Sequence, residues 1–233
     1  MSETILVTGG SKGIGAAIVE QLARERDVGT FVTIARRSNE YGRFIERNTS
    51  LYPDKNFIPL YADIGNRDQL EFAMDELARR NIRVDTVVNN AGYTNPKSVN
   101  EINIDDFLYT LKTNLVAPFS IVQTLIKRGQ PPRLVINIAS TAGINGRPGW
   151  LTYSASKAGL INMTEVLREE LKVYGTRVVC VSPGRCATDL RKTLAPDEDP
   201  ATIMQPSDVA RVISVLVSEV GHLIDSQNLV VRT

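Results

Sequence analysis

The sequence predicts a single doubly wound α/β domain of about seven parallel strands with helices on both faces. Three observations predict it. Short β-branched runs alternate with longer amphipathic stretches, most of those runs are apolar nearly throughout, and turn residues bound them. The runs are Thr4–Thr8, Thr30–Ala35, Phe57–Tyr61, Thr86–Asn89, Leu134–Ile138, Arg177–Val181 and Asn228–Val231. The helical stretches are Ile14–Arg26, Arg67–Arg80, Asp105–Lys127, Thr152–Tyr174 and Ser207–Glu219. Strand–helix–strand units cross over with a right hand and so build a parallel sheet. Ligands of such a sheet bind beyond the carboxyl ends of its strands, where the strand order reverses.

Element ends support the same reading. Asp105 and Asp106 suit the first turn of the long helix, where carboxylates meet the positive end of the dipole. Ser207 is the expected N-cap of the last helix. The stretch from Gly184 to Gln205 holds Pro196, Pro200 and the acidic run Asp197-Glu198-Asp199, and it reads as an irregular loop over the site.

Composition narrows the function. The 233 residues suit one domain over 1–233, with 42% hydrophobic and 23% charged residues. A net charge of +1 gives no electrostatic reason to expect nucleic acid or an anionic membrane as partner. Two cysteines, Cys180 and Cys186, are too few for a disulfide framework or a thiolate zinc site. The single histidine, His222, excludes a metal site of several imidazoles, so no metal is expected. No run reaches the roughly 18 apolar residues of a membrane span. No leader precedes Ile5-Leu6-Val7, and the expected compartment is the cytoplasm.

Thr8-Gly9-Gly10-Ser11-Lys12-Gly13-Ile14-Gly15 lies between the first strand and the first helix. Glycines there permit a tight turn and close backbone approach to a pyrophosphate, whose charge rests on the free N–H groups of the helix. Tyr153 and Lys157 stand four residues apart in a helical stretch, hence on one face. A phenol is a poor acid or base at neutral pH unless a nearby cation favours its anion. Ser140 follows the strand Leu134–Ile138 and brings a hydroxyl to the same carboxyl end.

These residues together resemble the short-chain dehydrogenase/reductase family, whose Rossmann-type domain carries a T-G-x-x-x-G-x-G turn and a Y-x-x-x-K pair. The resemblance runs from Thr4 to about Thr188 and includes Asp63-Ile64, Asn89-Asn90-Ala91-Gly92, Asn114, Ser140, Tyr153, Lys157 and Pro183-Gly184 with Thr188, all in the family's order. It implies Asn114, Ser140, Tyr153 and Lys157 as the catalytic set, with Asn114 holding a water that links the lysine to solvent. It implies that Gly9, Ser11, Lys12, Gly13, Ile14 and Gly15 take the pyrophosphate. Asp63 and Ile64 would meet the adenine, Asn90, Ala91 and Gly92 the ribose, and Pro183, Gly184, Cys186 and Thr188 the carboxamide. Cys186 replaces the family's branched aliphatic residue.

The second strand ends Ala35-Arg36-Arg37, without the carboxylate that would bond an NAD ribose and repel a 2′-phosphate. With Lys12 in the turn, Arg36 and Arg37 predict NADP(H) as cofactor. The expected reaction is hydride transfer between NADP(H) and a small-molecule carbonyl or secondary alcohol. Ser140 would polarise the oxygen, and Tyr153 would act as acid or base with Lys157 lowering its pKa. Substrate contacts are expected from Asn145, Trp150 and Arg185, with Arg147, Arg191 and Lys192 nearby. A 3-oxoacyl thioester, a polyol or sugar, and simple carbonyls all remain open as substrates. The rival classes are a non-enzymatic NADPH-binding sensor, for which a complete catalytic set is superfluous, and a nucleotide-sugar epimerase, for which the chain after Thr188 is short. The C-terminal stretch lacks the Val-Asp-Gly-Gly-like segment of many relatives. A homodimer through the two long helices is therefore weighed equally with the family's homotetramer.

Overall fold

Seven strands alternate with helices along the chain, and a computed structural model describes them over residues 2–24, 28–224 and 228–232. β1 (Glu3–Thr8), α1 (Gly13–Ala23), β2 (Val28–Ala35), α2 (Asn39–Leu51), β3 (Asn56–Tyr61), α3 (Arg67–Arg79) and β4 (Thr86–Asn89) form the first half. α4 (Ile104–Leu111), α5 (Ala117–Lys127), β5 (Leu134–Ile138), α6 (Leu151–Glu170), β6 (Arg177–Pro183), α7 (Asp189–Leu194), α8 (Pro206–Val217) and β7 (Asn228–Val231) form the second. The sheet is parallel throughout, in the order β3-β2-β1-β4-β5-β6-β7. Its order reverses between β1 and β4, so the crevice opens there, beyond the strand ends.

Alternate side chains of each strand enter opposite cores, which is why the runs are apolar without a period. Ile5 and Val7 join Ile18 and Leu22 of α1 and Ile213 of α8 in one core. Leu6 joins Leu70 and Met74 of α3, Ile121 of α5 and Leu167 of α6 in the other. All these side chains are buried.

Four expectations need correction. The stretch Asn39–Leu51, for which no helix is expected, forms α2: it is mostly polar and buries Tyr41, Phe44 and Asn48, and Ser38 caps it by accepting the Tyr41 N–H. The stretch 105–127 is not one α-helix: α4 and α5 flank a π-turn over Lys112–Val116. Gln205, not Ser207, caps α8. Pro206 takes the first helical position, where its missing N–H costs nothing, and the Asp208 carboxylate accepts the Gln205 N–H at 2.8 Å. The loop after Gly184 is partly regular, with α7 and a 3-10 turn over Pro200–Thr202. The expected end of the first helix at Glu25 and Arg26 lies outside the described residues, as do Met1, Asp225 and Thr233. No helix among the described residues is long and apolar enough to cross a membrane.

Candidate active site

The glycine turn is held by its neighbours in the sheet. Thr8 Oγ1 accepts the Asn90 and Ala91 N–H groups at 3.0 Å, and Asn90 Nδ2 donates to Thr8 O at 2.9 Å. Gly15 stands against that clamp: a Cβ there would lie 2.3 Å from Gly9 O and 2.5 Å from Asn90 Nδ2. Gly9 and Gly13 adopt left-handed backbone, at φ 66° and 56°. No side chain caps α1, so its leading N–H groups face the crevice, as an anion requires. Lys12 is paired with Asp189 of α7 at 2.5 Å.

The carboxyl ends of the strands line one cleft of about 1220 Å³. That is larger than the usual site for one small ligand, and it suits a dinucleotide with a substrate. Gly9, Ser11, Lys12, Gly13, Ile14, Arg36, Arg37, Asp63, Ile64, Asn90, Ala91 and Gly92 line one part. Ser140, Tyr153, Lys157, Pro183, Gly184, Cys186, Thr188, Trp150 and Arg185 line the other. Gly15 and Asn114 lie behind this surface and shape it. Asn145 is exposed and does not line the cleft, because the turn after Ser140 carries it outward, so its expected substrate contact has no support.

Arg36 and Arg37 are both exposed beyond β2, and the Arg37 guanidinium lies 4.1 Å from the Tyr61 ring centroid. Asp63 is not free: its carboxylate accepts the Tyr109 hydroxyl at 2.8 and 3.0 Å and the Gly65 N–H at 2.9 Å. Tyr109 meets Tyr93 edge-on at 4.8 Å, and the Tyr93 hydroxyl donates to Asp106 at 2.6 Å. That bond and partial burial raise the Tyr93 phenol to about 12. The sequence singles out neither tyrosine, since Tyr93, in the loop after β4, meets Tyr109 and Asp106 only when α4 packs against that loop.

Around Tyr153 the elements converge. Ser140 follows the end of β5 and accepts the Ala142 N–H at 3.1 Å, and its hydroxyl favours the anion of the Tyr153 phenol. Gly143 lets this turn sit on α6, as a Cβ there would lie 2.6 Å from the Lys157 carbonyl carbon. Lys157 Nζ donates to Ile138 O at 2.8 Å and lies 5.9 Å from the Tyr153 ring centroid. Burial lowers its pKa to about 8. The Tyr153 phenol is pushed up by burial, against the Ser140 hydrogen bond and the charge of Arg191, which favour its anion.

The π-turn delivers Asn114. Its Oδ1 accepts the Tyr93 N–H at 2.7 Å, and its Nδ2 donates to Tyr93 O and to Ser156 Oγ, both at 2.9 Å. Ser156 Oγ in turn donates to Tyr153 O at 2.7 Å. A Cβ on Gly92 would lie 3.6 Å from Asn114 Oδ1 and 3.8 Å from Lys157 Nζ, so both side chains flank that glycine. The extra residue of a π-turn rotates one side chain off the helix face, and such turns recur at functional sites.

α7 closes the far side. Thr188 caps it by accepting the Arg191 N–H at 3.1 Å. Leu194 is buried with Tyr153 and Ala142, and Trp150 and Leu190 pack on them. Cys186 is buried and its thiol is pushed up to about 12, which removes any thiolate role. Arg191 and Glu198 are cleft residues whose roles only the folded chain shows.

Comparison with known proteins agrees with this geometry. The family model described as short chain dehydrogenase matches residues 3–199. L-Fucose dehydrogenase of Mus musculus is 34% identical over 93% of this chain and 82% of its own length. The crystal structure of a blue fluorescent protein from a metagenomic library in complex with NADPH aligns with a TM-score of 0.85 at 27% identity, over 98% of this chain and 96% of that one. A 3-oxoacyl-[acyl-carrier protein] reductase from Brucella melitensis with bound NAD aligns with a TM-score of 0.82 at 27% identity, over 98% and 89%. With its parallel sheet, glycine turn and Ser140–Tyr153–Lys157 cluster, the chain belongs to the short-chain dehydrogenase family of oxidoreductases.

Proposed function

We propose that this oxidoreductase interconverts a carbonyl and a secondary alcohol with NADP(H). The observation that carries the reading is the meeting of Ser140, Tyr153 and Lys157 in the cleft that begins at the open N-terminus of α1. The residues present fit the dinucleotide. Free N–H groups at α1 suit a pyrophosphate, and Arg36 and Arg37, following β2 with no carboxylate at its last residue Ala35, suit a 2′-phosphate. Bound there, the nicotinamide supplies or accepts the hydride.

The chain supplies the rest. In the reductive direction the Ser140 hydroxyl donates to the substrate oxygen, and Tyr153 gives its proton to that oxygen as negative charge develops. Burial keeps the phenol protonated until then, and Ser140 and Arg191 stabilise the anion left behind. Lys157, fixed on Ile138 O, holds a positive charge one helical turn away, and Asn114 stands beside it to pass on a replacement proton. Stopped-flow NADPH oxidation tests the assignment. Tyr153→Phe should lower the rate of carbonyl reduction by about 10²–10⁴-fold, the range of general acid catalysis. An undiminished rate would sink the role of the phenol.

We further propose a cytoplasmic homodimer or homotetramer. Two buried free cysteines suit a reducing compartment, and Leu108, Val116, Phe119, Leu151 and Val166 leave apolar surface on α4, the π-turn, α5 and α6.

A further inference from the structure

Beside Tyr153 the cleft is apolar, walled by Trp150, Leu190 and Leu194. Charge gathers at the edge of this wall. Arg191 forks onto Glu198 with Nε–Oε2 at 2.5 Å and Nη2–Oε1 at 2.7 Å, and the two side chains are only 13% and 15% exposed. Arg185 reaches the same carboxylate at 3.4 Å and is half exposed. Arg147 and Arg191 lie 5.3 and 5.4 Å from the Trp150 ring centroid. Two guanidiniums thus reach one carboxylate, the third stands beside Trp150, and all four side chains line the cleft.

Resting on the function proposed above, we infer that the substrate is an oxo acid whose carboxylate takes the fork of Arg191 in place of Glu198. Its apolar carbons then lie along Trp150 and Leu190, and its carbonyl reaches Ser140 and Tyr153. The Arg191–Glu198 pair itself shows that a carboxylate fits this seat, with the planar two-point geometry that guanidinium prefers. Glu198 belongs to the irregular stretch 195–199, so it can leave without unpairing a strand or unwinding α7. Arg185, which shares the same carboxylate, keeps the seat cationic when it leaves. Leu190 and Leu194, on either side of Arg191 along α7, pack beside Tyr153, so an anion seated there lies close to the reacting group.

The test compares oxo acids having two to four carbons between carboxylate and ketone with their methyl esters, using NADPH and the full-length protein. The expected kcat/KM ratio of acid to ester is at least tenfold for the best chain length. That ratio should collapse toward one in Arg191→Gln, be only partly kept in Arg191→Lys, which keeps the charge without the fork, and rise in Glu198→Gln through a lower KM for the acid. Trp150 is the sole tryptophan, so its fluorescence gives a second readout without turnover. With NADP+ present, 4-oxopentanoate should change the emission saturably and its methyl ester should not. Equal turnover of acid and ester, or a ratio that survives Arg191→Gln, overturns the inference while leaving the carbonyl chemistry standing. Saturable 4-oxopentanoate binding without reduction of any acid or ester keeps the carboxylate seat and sinks the redox reading. No turnover and no fluorescence change sinks both.

Discussion

The phosphate cradle and the α7 segment face each other across the cleft and are fastened in opposite ways. The cradle is held by partly buried neutral bonds between Thr8, Asn90 and Ala91 and by backbone contact at Gly15. The α7 segment is anchored by Leu194, and its polar side is tied by ion pairs, Lys12 to Asp189 and Glu198 to Arg191 and Arg185. Partly buried neutral bonds keep one shape with or without ligand. Ion pairs at a cleft edge are bonds that an anionic ligand can compete for. The cradle is therefore built to receive, and α7 is built to exchange partners.

Substitutions can break that contrast. Gly15→Ala should have the largest effect on the fold, because its Cβ would enter Gly9 O and Asn90 Nδ2 together. A loss of about 2–4 kcal/mol in urea unfolding is expected, with NADPH binding weakened in parallel. A near-neutral result would show that the cradle gives way easily.

Lys157→Met tests the buried charge. The native ammonium titrates near 8 and the unfolded one near 10.5, so between those values the unfolded chain binds more protons. The cost of burying the charge is present in full below about pH 8 and is relieved as pH rises. Wild-type stability should therefore gain on that of the methionine variant by up to about 1.4 kcal/mol per pH unit from pH 8 to 10. A gap that stays constant with pH would mean that the cation carries no such cost.

Arg37→Ala sharpens the cofactor assignment. The ratio of kcat/KM for NADPH over NADH should fall about tenfold, near the value of one charge-assisted contact to a phosphate. An unchanged ratio would leave Arg37 only its place on Tyr61. Asp189→Asn should have the smallest effect. Both partners of its ion pair are exposed, at 50% and 74%, so thermal stability should move little. Freed Lys12 should nevertheless tighten NADPH about two- to fivefold by isothermal titration. Weaker binding would mean that the pair props the cradle open rather than competing with it.

The sequence by itself determined the strands, the sheet class and the positions of the glycine turn, Ser140, Tyr153 and Lys157. Those features are local: an apolar run buried on both faces, a turn that only glycine permits, a spacing of four on a helix. Tertiary structure decided what no local rule reaches. α2 escapes a local reading because Gly42 interrupts a mostly polar stretch, and Asn48 joins its buried face only by donating to Phe44 O. The π-turn shows only as a shift in hydrogen bonding that brings Asn114 onto Tyr93 and Ser156. Asn145 lies near Tyr153 in sequence but is exposed and outside the cleft lining, while Arg191 and Glu198, far along the chain, line it. Charges on an irregular segment acquire meaning only from what they face, and that is fixed by packing across the sheet rather than by their neighbours in sequence.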